Sequence, residues 1–278
     1  MADYFLANGI PVDTVSLSDR GLAYGDGLFE TIKVVGGCPA LFDLHLSRLG
    51  KGCERLSIPI DMELLQTEVR QLLANAPTEL GVLKIIVTRG GGDSGYGAVK
   101  PVSINRYLKL RALSPNIDGL RYQRMQSGVN LRLCDHRLPI NPALAGIKHL
   151  NRLDNVIARG EWSSQGIDEG LMMDCEGRVV EGTMSNLFLV SGRTLVTPSL
   201  HRCGVEGTVR AVVLSTLAET LNLETQVRDV AVSDIVAADE VFICNSLMGI
   251  CPVLSLGCVK KSAGPVTMSL QAALGELH

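Results

Sequence analysis

The sequence lacks several features that mark whole classes of protein. With 26 lysines and arginines against 29 acidic residues, the formal net charge is −3, and no block of like charges stands out. A basic surface for a phosphate backbone is therefore missing, and we do not expect nucleic acid as a partner. No apolar run reaches the ~18 residues of a transmembrane helix, and the amino terminus has no positive region leading into an apolar one. We predict a cytoplasmic protein without membrane contact.

The eight cysteines and five histidines form no metal-binding pattern. No two cysteines have the short spacing of a zinc knuckle or a redox motif, and the histidines complete no set of ligands. We therefore predict no metal site, and we interpret most cysteines as small, reduced core residues.

What is present is enough apolar sequence for a large core, since 46% of the 278 residues are hydrophobic. Strand-like runs alternate with amphipathic helical patterns, and the segment LSPNIDGL has the composition of a linker or long turn. We predict a smaller N-terminal domain over residues 1–113, a linker over 114–120 and a C-terminal domain over 121–278. Turn pairs between strand-like runs predict hairpins at Asn8-Gly9, Gly36-Gly37, Glu176-Gly177 and Ser191-Gly192.

One lysine has an unusual setting. In AGIKHLNRLDNV, residues 145–156, Lys148 follows an apolar lead-in and precedes what we interpret as the first turn of a helix. A lysine that enters from an apolar segment must be desolvated, paired or covalently used. A desolvated lysine can lose its proton near neutral pH and attack a carbonyl carbon.

Three further features gain meaning beside this lysine, although each has an ordinary interpretation. Glu181 ends an apolar strand, where a carboxylate is usually solvated, and Arg48 in HLSRL fits a surface position on a helix. Gly204 and Gly207 precede the helical pattern GTVRAVV, where they form either a simple turn capped by Thr208 or an anion cradle. Together with Lys148, these three features supply the groups that binding of pyridoxal phosphate requires at least: an amine, a partner for the ring nitrogen and a phosphate site.

Six ordered blocks carry a family resemblance: GDGLFETIKV, HLSRL, AGIKHLNRL, VVEGTMSNLF, GTVRAVV and DEVFICNSLMGICPV. In this order they resemble the fold-type IV pyridoxal phosphate enzymes, which comprise branched-chain aminotransferases, D-amino acid aminotransferases and 4-amino-4-deoxychorismate lyases. The resemblance covers nearly the whole chain. It implies an α+β fold with a small N-terminal α/β sandwich-like domain and a larger C-terminal domain that has a β-barrel-like core and flanking helices.

Within the family, the blocks around Lys148 and Asn245 look most like the lyases. Branched-chain aminotransferases carry a tyrosine five positions after the lysine, where this chain has Leu153, but D-amino acid aminotransferases remain compatible. The resemblance therefore implies pyridoxal phosphate-dependent elimination of pyruvate from 4-amino-4-deoxychorismate to give 4-aminobenzoate, a folate precursor. An aminotransferase for D- or branched-chain amino acids is the alternative, and a non-catalytic scaffold of the same fold is the second.

The resemblance also implies a role for individual residues and a homodimer. Lys148 would bind the cofactor covalently, and Glu181 would pair with its pyridine nitrogen, with Asp174 as the next candidate. Arg48, Thr208, Val209 and Ser246 would hold the phosphate. Arg106 and Tyr96 would contact the substrate, although a solvated strand residue and a packed loop aromatic are the ordinary interpretations. Phe29 would line the same pocket, and Thr31 would act beside Lys148.

Overall fold

The computed structural model describes residues 3–91, 95–97, 103–163 and 166–277. Its contacts divide the chain into two compact units, Met1–Gly119 with Ile147–Asn151, and Leu120–Gly146 with Arg152–His278. The first unit contains β1 (Asp3–Ala7), α1 (Arg20–Tyr24), β2 (Gly27–Val35), β3 (Cys38–Pro39), α2 (Phe42–Arg55), α3 (Met62–Asn75), β4 (Leu80–Thr88), β5 (Asn105–Ala112) and a π-helical turn (Pro115–Gly119).

The five strands of the first unit form one antiparallel sheet in the order β1-β5-β4-β2-β3. Its two faces differ because side chains alternate along each strand. Along β2, Leu28, Glu30, Ile32 and Val34 are buried on the face that α2 covers, while the residues in between are half-buried on the other face. Of the two hairpins predicted in this unit, the one at Gly36 and Gly37, with φ of 56° and 77°, joins β2 to β3. Asn8 and Gly9, with φ of 51° and 79°, form a turn closed by a single bridge between Ala7 and Ile10, and the element that follows it is α1 rather than a second strand.

The segment around Lys148 lies with the first unit, whereas the sequence predicted it in the C-terminal domain. Its backbone pairs with the start of β2: the Phe29 amide donates to the Lys148 carbonyl at 3.0 Å, and the Leu150 amide donates to the Gly27 carbonyl at 3.0 Å. These bonds hold Lys148 in an extended segment. The predicted helix begins only at Leu153.

The segment predicted as a linker is helical in the structure. Pro115–Gly119 forms the π-helical turn, and the amides of Asp118 and Gly119 both donate to the Ser114 carbonyl. The Asp118 carboxylate in turn accepts from the Ser114 amide at 3.0 Å. The same Asp and Gly that signal a loop thus close a local turn, and the two compact units divide at Gly119 and Leu120.

The second unit is built on a larger sheet. It contains α4 (Leu120–Ser127), β6 (Val129–Leu138), α5 (Leu153–Arg159), β7 (Glu169–Asp174), β8 (Val179–Gly182), β9 (Asn186–Ser191), β10 (Thr194–Pro198), α6 (Thr208–Val212), a π-helical turn (Val213–Leu217), α7 (Ala218–Thr220), β11 (Glu224–Arg228), α8 (Val232–Ala237), β12 (Glu240–Asn245), β13 (Gly249–Leu256), β14 (Val259–Lys260) and α9 (Pro265–Gly275).

Its strands run in the order β11-β10-β9-β12-β13-β6-β7-β8, and β14 pairs with β13. The sheet curls so far that its two edges approach each other: the Val179 amide of β8 donates to the Val230 carbonyl, just beyond β11, at 2.8 Å. Buried apolar side chains from the central strands fill the core, as the predicted barrel-like arrangement requires. No helix of the described residues is long and apolar enough to cross a membrane.

Candidate active site

Lys148 contacts an aromatic ring in the first unit. Its Nζ lies 4.5 Å from the centroid of the Phe29 ring, and its backbone is fixed by the bonds to β2. An ammonium over a ring face gains a modest attraction and loses part of its hydration. The structure therefore gives this lysine the partly desolvated setting that its sequence context predicted.

Phe29 lies on the half-buried sheet face, which carries several cations. Thr31 follows it two residues along β2 on the same face, directly opposite Lys84 of β4. The Lys84 Nζ lies 5.2 Å from the Phe29 ring centroid, so two lysines, Lys84 and Lys148, contact one aromatic ring. This face combines an apolar ring with positive charge and can hold an anionic group beside an apolar one.

Arg48 belongs to a buried network with Glu30 and His45. Its Nε and Nη2 donate to the two oxygens of Glu30 at 2.8 and 2.5 Å, and His45 Nδ1 lies 2.6 Å from the same carboxylate. These hydrogen bonds and positive charges lower the pKa of Glu30 despite its burial. Burial lowers the pKa of His45, and this effect exceeds the opposite effect of the hydrogen bond to Glu30. The positive charges of Arg48 and Lys148 lower the pKa of His45 further. The neutral imidazole is therefore the favoured form at pH 7.

Arg106 is not brought together with Phe29 and Lys148. It shares a cross-strand row with Val87 and Leu28, which places it on the opposite face of the sheet from Phe29. Its Nε and Nη2 both donate to Glu68 of α3 at 2.8 Å. The guanidinium is thus a bidentate partner of a buried carboxylate, and we do not retain the prediction that it binds a substrate carboxylate.

Tyr96 lies in a glycine-rich loop, of which residues 92–94 are outside the described part. Its side chain is 87% exposed, and its ring centroid lies 5.4 Å from that of Tyr24. Arg20 holds the loop backbone by donating to the carbonyls of Gly95 and Tyr96. The Tyr96 ring is therefore not packed in the core. Among the described residues, no hydrogen bond of its hydroxyl is observed.

Glu181 is a buried carboxylate at the end of β8 in the second unit. Its Oε2 accepts a hydrogen bond from the Val205 amide at 2.9 Å and lies 3.5 Å from Asn186 Nδ2. Burial excludes the solvated interpretation, because the side chain leaves only 4% of its surface exposed. Arg152, whose own pKa is lowered by burial, feels the Glu181 charge as its strongest favourable partner.

The predicted anion cradle begins at Gly207, which precedes the first turn of α6. Thr208 and Val209 open this helix and are both buried. A Cβ on Gly207 would lie 2.0 Å from Asn186 Oδ1, and one on Gly204, where φ is +92°, would meet Val180 at 2.8 Å. Both glycines are thus required by close approach, and the first amides of a helix lack intrahelical partners.

Ser246 lies in the turn between β12 and β13. Asn245 Oδ1 accepts from the amides of Leu247 and Met248 at 2.9 Å, which fixes the turn around Ser246. Asp174, the alternative to Glu181, is already committed: it accepts from the Arg178 guanidinium and from the amides of Glu176 and Arg178.

The sequence did not single out the residues that fix these positions. Glu169 at the start of β7 is fully buried and accepts a hydrogen bond from the next residue of its own strand, Gly170. It also accepts from Thr183, Met184 and Ser185, which form the connection from β8 to β9. Asn186 opens β9 and bonds to the segment before α6. In both cases the available signal is a polar residue that opens an otherwise apolar strand, as in EGLMMD and NLFLVS. Among the described residues, no group of three acidic, cysteine or histidine side chains can hold a metal ion.

Comparison with known proteins gives matches over nearly the whole chain. Residues 27–256 match the family model "Amino-transferase class IV". An aminodeoxychorismate lyase of Vibrio harveyi is 34% identical, with 97% of this chain and 99% of the relative covered. A putative branched-chain-amino-acid aminotransferase of Methanocaldococcus jannaschii is 31% identical over 95% and 91%.

The fold is shared with a solved lyase. The crystal structure of 4-amino-4-deoxychorismate lyase from Pseudomonas aeruginosa is 45% identical and covers 98% of each chain with a TM-score of 0.91. The predicted fold class, with its small sheet domain and curled larger sheet, is confirmed.

Proposed function

Because the chain belongs to the class IV aminotransferase family, we propose that it is a pyridoxal phosphate-dependent 4-amino-4-deoxychorismate lyase. It would release pyruvate from its substrate and leave 4-aminobenzoate, a folate precursor. The observation that carries the proposal is the near full-length similarity to two lyases, at 34% and 45% identity. Leu153 stands in place of the tyrosine that the resemblance implies for branched-chain aminotransferases and argues against that activity, while a D-amino acid aminotransferase stays compatible with it.

The residues present fit the cofactor. Lys148 offers an amine in a partly desolvated setting, and Glu181 offers a carboxylate whose orientation is fixed by the Val205 amide. Gly204 and Gly207 let the segment before α6 pack closely against Val180 and Asn186, which fixes where the helix begins. Amides at such a helix start attract phosphate.

Each residue then has a chemical task. Pyridoxal phosphate supplies, when bound, an aldehyde that combines with amines and a ring that accepts electrons. The Lys148 amine would remove the proton from the substrate carbon that bears nitrogen, and the Glu181 carboxylate would keep the ring nitrogen protonated. As the family resemblance implies, Arg48, the amides of Thr208 and Val209, and the Ser246 hydroxyl would be the groups that bind the phosphate.

The substrate has two carboxylates and a ring, and the Phe29 face offers matching groups. Lys84 carries a positive charge on the same sheet face as Phe29 and Thr31, whereas Arg106 lies on the opposite face. We therefore propose Lys84 in place of Arg106 as a carboxylate partner. Thr31 would act beside Lys148, and Tyr96 would contribute from its loop.

A single assay tests the proposed reaction. The purified protein, incubated with 4-amino-4-deoxychorismate, should release pyruvate and 4-aminobenzoate in equal amounts without any added 2-oxo acid. Amino transfer that requires a 2-oxo acid, with no pyruvate release, would instead identify an aminotransferase for D- or branched-chain amino acids, which the 31% identical relative keeps as the second candidate. Silence in both assays would leave the non-catalytic scaffold.

We also infer a homodimer in the cytoplasm. Helix α5 exposes Leu153, Val156 and Ile157 at the spacing of one helix face, and Met184 is exposed as well. Apolar side chains that cluster on one face of a helix are typical of a surface that a partner covers. All eight cysteines are free thiols, as a reducing compartment requires.

A further inference from the structure

Asn186 joins two parts of the second unit that the proposed function treats as separate contacts. Its side chain is 6% exposed. Its Nδ2 donates to the Val205 carbonyl at 2.9 Å, and its Oδ1 accepts from the Gly207 amide at 3.0 Å. One planar amide thus grips the backbone on both sides of Glu206.

The same stretch of backbone holds Glu181. The Val205 amide donates to Glu181 Oε2 at 2.9 Å, and Asn186 Nδ2 lies 3.5 Å from that oxygen. A closed set of contacts therefore runs from the Glu181 carboxylate through Val205 and Asn186 to Gly207, which precedes the helix start. A Cβ on Gly207 would approach Asn186 Oδ1 to 2.0 Å, so this contact also depends on the glycine.

We propose that Asn186 is a positioning residue that couples the ring-nitrogen contact of Glu181 to the phosphate contact at the start of α6. The inference rests on the cofactor part of the proposed function, and it holds for a lyase and for an aminotransferase alike. A rigid ligand held at two points gains affinity only if the two points keep a fixed separation. Asn186 fixes that separation because its donor and its acceptor are both used, one on each side of the segment.

The alternative is a purely structural role, in which Asn186 only stabilises the fold. A structural role would change the affinity for every ligand or the melting temperature, but it would not link the two contacts. Coupling is measured by asking whether the loss of one contact changes the value of the other.

The experiment uses two probes and four proteins. Apoprotein is titrated with pyridoxal phosphate and with pyridoxal, which has the same ring and aldehyde but no phosphate. The dissociation constant of pyridoxal divided by that of pyridoxal phosphate reports how much the phosphate contributes to affinity, and a lower ratio means a smaller contribution. It is measured in the native protein, in Glu181→Gln, in Asn186→Ala and in the double variant.

If Asn186 couples the contacts, Glu181→Gln lowers the ratio about fivefold in the native background and leaves it unchanged in the Asn186→Ala background. Asn186→Ala alone lowers the ratio by about tenfold, the effect of one lost hydrogen bond to the cradle. The matched control is Asn130→Ala, at a half-buried asparagine on β6. Among the described residues, the Asn130 side chain has one hydrogen bond, which it accepts from the Ser255 hydroxyl. This substitution should leave the ratio and its response to Glu181→Gln as in the native protein.

An equal effect of Glu181→Gln in both backgrounds would overturn the coupling and leave the proposed function standing. A native protein that binds pyridoxal phosphate no tighter than pyridoxal would instead contradict the phosphate site of the proposed function, and the coupling with it. If Asn186→Ala does not fold, Asn186→Asp serves in its place, because it keeps the acceptor for Gly207 and loses the donor to Val205. Lyase activity enters none of these readouts.

Discussion

The imidazole of His45 is fully buried, and its proton is subject to opposing influences. Burial lowers its pKa, and the bond to Glu30 raises it by a smaller amount. A histidine with a lowered folded pKa binds fewer protons when folded than when unfolded, so stability falls as the pH drops below about 6.5 towards the folded pKa. Glu30 acts at lower pH: its lowered pKa gives stability that is present above its unfolded pKa and is lost as the pH falls through the folded value.

We therefore expect the free energy of unfolding to decrease between pH 6.5 and 5.5 by up to ~1 kcal/mol from His45 alone. Urea unfolding at a series of pH values measures this slope. His45→Asn should remove it, although the variant is less stable overall. His201→Asn is the control, because His201 is exposed and bonds to Ser199. A slope that survives His45→Asn unchanged would assign the titration to another group.

The covalent role of Lys148 is tested directly by chemical reduction. Borohydride treatment of the protein with bound pyridoxal phosphate should fix the cofactor to Lys148, the residue for which the proposed function gives a covalent role. Peptide mapping identifies the labelled residue. The controls are internal: Lys33 and Lys84 occupy the same sheet face, and label on either would contradict the assignment.

Lys84 should bind substrate rather than perform chemistry. Lys84→Met keeps most of the unbranched side chain and removes its charge. KM should therefore rise about tenfold or more while kcat changes less, the cost of one charge-assisted hydrogen bond. Steady-state kinetics of pyruvate release give both values. Lys109→Met is matched, since Lys109 lies opposite Lys84 on the neighbouring strand and pairs with Asp3. Equal effects of the two substitutions would show only a general loss of positive charge.

Individual site residues were predictable to the extent that their chemistry is local. Lys148 and Glu181 stand out because a charge interrupts an apolar run, and in the structure Glu181 is buried and Lys148 lies against the Phe29 ring. Arg106 could not be placed, because its partner Glu68 lies on a helix that precedes it by 38 positions. A sequence gives the alternation of strand faces but not which face a distant helix will cover.

At the scale of elements, the connection from β8 to β9 depends on one buried carboxylate. Glu169 accepts hydrogen bonds from residues 183–185 and has a pKa raised by burial, with no cation within salt-bridge distance among the described residues. This connection lies between Glu181 and Asn186, so its conformation sets the direction of both side chains. Asn155 holds it from α5 by donating to the Thr183 carbonyl at 2.9 Å.

We expect Glu169→Ala to lower the free energy of unfolding by about 3 kcal/mol or more, because several buried donors lose their acceptor. Glu169→Gln should cost less, since it keeps the shape and one acceptor oxygen. Chemical denaturation of both variants tests the order. Glu161→Gln provides the comparison, as Glu161 accepts from two backbone amides, at Asp135 and His136, near the surface. If Glu169→Ala and Glu161→Gln lowered the free energy of unfolding equally, the buried hydrogen bonds of Glu169 would contribute no more to stability than those of Glu161.

The hairpin turns could be predicted from the sequence, because residues that favour positive φ mark them, as at Gly177 and Gly192. The helical conformation of the predicted linker and the position of Lys148 could not be predicted. A helical turn at Pro115–Gly119 and a lysine segment that pairs with β2 both depend on contacts that composition does not encode.

At the scale of the whole molecule, the exposed face of α5 provides the test of assembly. Leu153 is 74% exposed, and Val156 and Ile157 lie beside it on the helix. Three apolar side chains in this arrangement leave more apolar surface on one short helix than scattered exposure accounts for. If a second copy of the chain covers this face, a charge in its centre must be desolvated on association.

We therefore expect Val156→Glu to shift the protein from dimer to monomer at micromolar concentration, as measured by size-exclusion chromatography with light scattering. The substitution is tolerated by the folded chain because the side chain is exposed, so far-UV circular dichroism should not change. Val236→Glu is the matched control, because Val236 is similarly exposed but lies on a different helix, α8. This substitution should leave the dimer intact. A dimer that survives Val156→Glu would place the contact on another surface, whereas a native protein that is already monomeric would contradict the homodimer itself.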